Sequence, residues 1–377
     1  MSTPHSATAH TPLSEVRKTL QVDWYRCPID RDTLRELATR SDAKGFFYAL
    51  GHLGLLVLTG YFTHVFFVNG SWVAFALALQ LHGVIFSFVP GLVTHELSHG
   101  TVFRTKWLNG FFLRVYSLIS FVNFHHYKRS HTFHHMYTLH PEGDREVVLP
   151  ANPTLKAIRM FGFFTFDART FFHVVGGTLV LALTGRFRLF FKTEWSEAIF
   201  RDDPAGRRRA VNWARLVILF HAAVIAAGVA LEIWMLPVVV TLGSFIGSWW
   251  KVFVGFTMHA GLRDNVADFR KCARSVKLDP FSRFIYWNMN FHIEHHMYGA
   301  IPCYNLPRLS REIAWDMPQP RTIREAWREM HDAWRRQQVD PTYQFDTPVP
   351  GNSRHDELEI DHETSASLGD LEPEQAR

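Results

Sequence analysis

Two pairs of long apolar runs, each pair joined by only three residues, constrain this chain more than any other feature. Residues 46–68 and 72–94 carry no charged side chain and are separated by Asn69, Gly70 and Ser71. Residues 213–234 and 238–259 repeat the design around Met235, Leu236 and Pro237. Each run has about the 20 residues that cross a hydrocarbon core. A link that short returns the chain to the side it left, so the economical fold is an all-α integral membrane protein with four transmembrane helices in two hairpins.

Charge sets the expected orientation. The segment 101–212 is studded with basic residues, among them Arg104, Lys128, Arg145, Lys192 and Arg207, whereas neither hairpin turn has any. Cytoplasmic loops carry such an excess, so this segment and both termini are expected in the cytoplasm, in a bacterial inner membrane. Within it, 161–183 is apolar but interrupted by Asp167, Arg169 and His173. One extra crossing would invert the second hairpin, and an interfacial or re-entrant helix is the expectation. The start of the chain lacks the basic and short apolar regions of a cleaved signal. The domain reading is a polar N-terminal arm over 1–29, a membrane domain over 30–338 with a polar helical lid before its end, and a disordered acidic tail over 339–377.

Chemistry resides in the histidines. The chain has 22 of them and only three cysteines, Cys27, Cys272 and Cys303, without C-x-x-C spacing. Thiolate clusters are therefore excluded. His95-Glu96-Leu97-Ser98-His99 ends the second apolar run, and i and i+4 share a helix face. His131-Thr132-Phe133-His134-His135 and His292-Ile293-Glu294-His295-His296 share the pattern H-x-x-H-H. Eight such imidazoles exceed the four ligands of one zinc ion, so two metals are implied. His259, at the end of the fourth run, is a candidate ninth ligand. Glu96 and Glu294, and less directly Asp144, Asp264, Asp268 and Asn288, are candidates to hold the ligands from behind. His52, His64, His82, His173 and His221 lie alone in apolar runs and read as packed helix residues. His125, His126 and His140 adjoin the second box and read the same way.

The first box also satisfies H-E-x-x-H, the zinc-protease signature. An intramembrane metalloprotease would leave the other two boxes unused. A metal carrier would place its ligands along a path through the membrane, whereas these gather at one face. No G-x-G-x-x-G dinucleotide site is present, and His140-Pro141-Glu142-Gly143 lacks the second glycine of a cytochrome b5 haem motif.

The order H-x-x-x-H, H-x-x-H-H, H-x-x-H-H resembles the membrane fatty acid desaturase superfamily. The strings HELSHGTVF from His95, RSHTFHH from Arg129, HAGLRDNVAD from His259 and YWNMNFHIEHH from Tyr286 look most like its bacterial MocD-like branch, which includes a dihydrorhizobitoxine desaturase. The resemblance implies four spans under a cytoplasmic helical cap that holds two non-haem irons. His95, His99, His131, His134, His135, His292, His295 and His296 would be ligands, and His259 matches the extra histidine before the last box. Where the stearoyl-type branch has a water-holding asparagine, this chain has Gly255, with Asn288 a possible substitute. Dioxygen would be the co-substrate, with electrons from a separate Rieske-type ferredoxin, ferredoxin or cytochrome b5. The substrate would be a fatty acyl chain or other amphiphile, or alternatively a small amino-acid-derived metabolite, to be desaturated or hydroxylated.

Overall fold

The computed structural model describes residues 10–151, 156–189 and 192–350. These residues are predominantly helical, and among them one two-stranded ladder pairs Val276–Lys277 in parallel with Arg321–Thr322. Among the described residues three helices are long and apolar enough to cross a membrane: Asp42–Val68, Trp72–His99 and Pro204–Ala230. The first starts where Ser41 Oγ accepts the Lys44 N–H and Asp42 places a negative charge in the first turn, which suits the helix dipole. It ends in the expected tight link, where Gly70 takes φ +66°, a left-handed conformation cheap only for glycine. The two flanking helices then pack along each other.

Their outer faces are those of a lipid-facing pair. Phe47, Val57, Leu58, Tyr61, Trp72 and Val73 are exposed, whereas Ala49, Thr59, Gly60 and Thr63 face inwards. Small residues let helices approach where lipid removes the hydrophobic drive between them. The lone histidines supply polar links. His82 Nδ1 lies 2.9 Å from Thr59 Oγ1 and its Nε2 lies 2.9 Å from the Val239 carbonyl. His221 joins Thr241 Oγ1 to the Leu118 carbonyl. His52 accepts from Trp287 Nε1–H and faces the Ile85 carbonyl.

Two apolar runs depart from simple helix. In the second run the helix holds to Ser87, breaks at Pro90 and Gly91, and resumes over Thr94–His99. Proline has no N–H for the helical ladder, so the chain is re-aimed there, just before the first box. The run 238–259, expected as one helix, is broken in its middle. It is helical to Phe245, extended at Ile246, and left-handed at Gly247 with φ +59° before Trp249–Gly255 resumes. The stretch 161–183 is likewise two helices, Ala157–Phe164 and Ala168–Thr184, parted at Thr165–Asp167. The two breaks satisfy each other. Gly247 N–H donates to the Thr165 carbonyl and Asp167 N–H to the Phe245 carbonyl, both at 2.8 Å, and Ile246 bridges Phe166 in antiparallel fashion. Buried irregular backbone is tolerated only when its polar groups find partners in this manner. Hydropathy sees only apolar content, and the left-handed Gly247 is what lets the run 238–259 turn after Phe245.

Around the breaks, packing is close enough to demand glycine. A Cβ at Gly83 would lie 2.3 Å from the Ile246 carbonyl oxygen. Both ends of the described residues pack on the fold. The N-terminal arm packs Leu13 and Val16 beside Phe133 and Trp195, and Tyr25 Oη donates to Asp316 at 2.6 Å. Residues 339–350, which composition alone groups with the acidic tail, lie along the cap: Phe345 N–H donates to the Gly261 carbonyl, and Asp346 pairs with Arg263 and Lys271. Residues 1–9 of the arm and 351–377 of the tail lie outside the described residues.

Gly83→Ala is expected to destabilise the protein by about 1–3 kcal/mol through overpacking, read as a lower unfolding midpoint in detergent. Gly54→Ala, where an added methyl meets open space, should leave the midpoint unchanged or slightly higher.

Candidate metal centre

Each histidine box sits on a short, firmly ended helix. The first occupies Thr94–His99, stopped by Gly100 at φ +70°. The second lies on Phe124–Tyr137, whose start is capped by Asn123 Oδ1 accepting the His126 N–H at 3.2 Å. The third forms His292–Met297, entered through Trp287 and Asn288, both at positive φ (51° and 56°). Left-handed non-glycine residues are costly and persist only where packing enforces them. Trp287 is fully buried, and that burial fixes the entry to the box.

The boxes converge in the interior as two adjacent groups. Ring nitrogens of His95, His99, His131, His135 and His295 all lie within 4.8 Å of one another, as do those of His134, His259 and His296. His292 completes the second group, its Nε2 being 2.9 Å from that of His259 and 3.1 Å from that of His296. In the first group the Nε2 separations are 3.4 Å for His95 and His99 and 3.2 Å for His135 and His295. Imidazoles bound to one ion at about 2.0–2.1 Å place neighbouring nitrogens roughly 2.9–3.4 Å apart. The arrangement therefore fits two ions held by five and four histidines. His131 Nε2 supports the fit, since it is buried and has no partner. The rings of His135 and His296 stack at 4.6 Å where the groups meet.

Four of the outward nitrogens are held from behind, the arrangement that fixes ring orientation and raises basicity in metal-binding imidazoles. Asp144 Oδ2 lies 2.8 Å from His134 Nδ1 and also accepts the Leu139 N–H. Cys272 offers its carbonyl to His259 Nδ1 at 2.8 Å, and Thr138 Oγ1 lies 3.2 Å from His296 Nδ1. Glu146 Oε1 is 3.0 Å from His131 Nδ1, and its Oε2 accepts from Ser130 at 2.5 Å. Burial opposes ionisation of Asp144, but His134 and two backbone N–H groups prevail and lower its pKa. Burial raises the Glu146 carboxyl instead.

Of the carboxylates expected from the sequence, Asp144 touches a ligand histidine and Glu96 sits between two, its Oε1 lying 3.4 Å from His95 Nδ1 and 3.3 Å from His295 Nδ1. Glu294 turns away to accept from Ser275 at 2.5 Å, anchoring the third box. Asp268 is bound to Arg270 and caps Phe269–Cys272, Asp264 neighbours Gln344, and Asn288 donates to Tyr48 Oη at 2.7 Å. Those three are occupied away from the histidines. Glu146 was not foreseen, since only its place two residues beyond Asp144 hints at a shared role. His125, His126 and His140 join neither group; His126 Nε2 meets Ser196 Oγ at 2.8 Å.

A family model described as Fatty acid desaturase matches residues 70–348, a stretch that contains all three boxes. No curated protein sequence matches the chain.

Removing one carboxylate behind a ligand should loosen the centre without removing a ligand. Asp144→Asn is expected to weaken metal retention about 10–100-fold, measured as the chelator concentration that strips half the metal.

Proposed function

Because the chain belongs to the fatty acid desaturase family, we propose that it is an integral-membrane, non-haem di-iron oxidoreductase that uses dioxygen to desaturate or hydroxylate a fatty acyl chain or similar amphiphile. The observation that carries the reading is the division of nine buried imidazoles into neighbouring groups of five and four. His95, His99, His131, His135 and His295 would hold one iron, and His134, His259, His292 and His296 the other. A bound ferrous pair supplies the reduction of dioxygen needed to break an unactivated C–H bond, which side chains alone do not perform.

The protein's own share is positioning and exclusion of water. Asp144, Glu146 and the Cys272 carbonyl keep their imidazoles oriented with one nitrogen inwards. All nine ligands are at most 9% exposed, so bulk water is kept from the reacting carbon. Electrons come from a separate donor, a Rieske-type ferredoxin, ferredoxin or cytochrome b5. The basic loops support four spans with the termini and the centre on the cytoplasmic side, while the bacterial inner membrane and the MocD-like branch rest on the sequence resemblance alone. On this reading the catalytic domain is 30–338, between the arm 1–29 and the acidic tail 339–377, of which residues 339–350 lie along the cap.

The geometry speaks against an H-E-x-x-H protease. His95 and His99 share their group with imidazoles from both other boxes, and Glu96 is buried between His95 and His295. Purified protein should contain two iron atoms per chain. His134→Ala and His295→Ala should each abolish dioxygen-dependent turnover and lower iron content. One zinc with no iron would overturn the reading.

A further inference from the structure

Beside the histidine groups lies a cavity of about 620 Å³, within the roughly 300–1,000 Å³ typical of small-molecule sites. Its lining includes both chain breaks and the helices that follow them. Tyr127 forms part of the wall, and the same ring stacks on His131 with centroids 5.3 Å apart and planes 10° from parallel. Phe256, three residues before His259, lines it as well. The cavity therefore reaches the near side of the centre.

Its charges are unbalanced. Arg159, Arg169 and Lys251 line it against a single carboxylate, Asp167. Asp167 is already engaged by the Arg159 guanidinium at 3.1 Å and by Thr170, whose hydroxyl donates to it at 2.6 Å. Lys251 forms no hydrogen bond or ion pair among the described residues, although it stands in an apolar run. Three residues earlier, Ser248 Oγ is buried without a partner, the residue being 7% exposed. A buried hydroxyl without a partner costs about 1–3 kcal/mol, and the half-buried Lys251 ammonium has no hydrogen-bond partner among the described residues and only the Coulombic attraction of Asp167. A bound anion would satisfy both.

We propose that this cavity binds a free amphiphilic acid by its carboxylate, which accepts from Lys251 Nζ and Ser248 Oγ, with the hydrocarbon part running past Val252 and Phe256 towards Tyr127. This names the substrate class of the centre and rests on the di-iron reading only for the fate of the bound compound. An acid so held is presented by its charged end at a fixed place, and a neutral ester lacks the group that Lys251 requires.

Binding of dodecanoate and of methyl dodecanoate to the full-length protein in phosphatidylcholine nanodiscs tests the proposal without turnover. Dodecanoate is expected to bind about tenfold or more tightly than the ester, since a charge-assisted hydrogen bond is at stake. Lys251→Met should erase the preference while ester binding persists, Lys251→Arg should restore most of it, and Ser248→Ala should reduce it if the methionine variant does not fold. Equal affinities in the unaltered protein, or a preference that survives Lys251→Met, would overturn the proposal. So would displacement of dodecanoate when phosphatidylglycerol replaces the nanodisc lipid, which would make a bilayer headgroup the source of the anion. Iron content and dioxygen-dependent turnover, measured on the same samples, separate the two readings. Loss of the acid preference with two irons present refutes this site alone, whereas absent iron with the preference intact refutes the di-iron reading alone.

Discussion

An imidazole can serve as a ligand only if one nitrogen points inwards unprotonated, and what the other nitrogen meets decides whether it does. In this protein four of the outward nitrogens are met by groups of three kinds: carboxylates behind His131 and His134, a backbone carbonyl behind His259, and a hydroxyl behind His296. The supporting groups come from the turn after the second box and from the segment after the fourth apolar run. The centre therefore depends on loops as much as on the helices that carry the boxes. Burial makes the dependence strict, because a ring turned the wrong way in a dry interior would leave two polar atoms unsatisfied.

A second constraint, the need to pair buried backbone polar groups, shapes the region beside the centre. Two interruptions that would each be costly alone become affordable together, since Thr165–Asp167 and Phe245–Gly247 exchange hydrogen bonds. The exchange does more than repair the chain. It locks the helix bearing Lys251 and Phe256 to the segment bearing Asp167 and Thr170, and the cavity is the space left between them.

Much of this was legible in the sequence. The three boxes and His259 name the residues that the fold gathers, because helical spacing alone predicts which imidazoles share a face. The first two spans and their glycine turn follow from hydropathy and from the left-handed preference of Gly70. The rest depends on contacts between distant segments. Nothing local distinguishes Glu146, which reaches His131, from Asp264, which does not, and the glycines of 238–259 read as small span residues until their partner at 165–167 is known. Asn288 illustrates the converse: its spacing before His292 is suggestive, but a left-handed backbone turns its amide to Tyr48.

The pairing of His135 with His295 spans 160 residues of chain. Such a contact cannot close until the later partner has been synthesised, and loops of that length are joined only once the elements between them have settled. During synthesis the first two boxes emerge while each histidine group still lacks members: the first group waits for His295, and the second waits for His259, His292 and His296. On the di-iron reading proposed above, metal capture would then be a terminal event of biogenesis, and a chain released before the third box would have neither group complete.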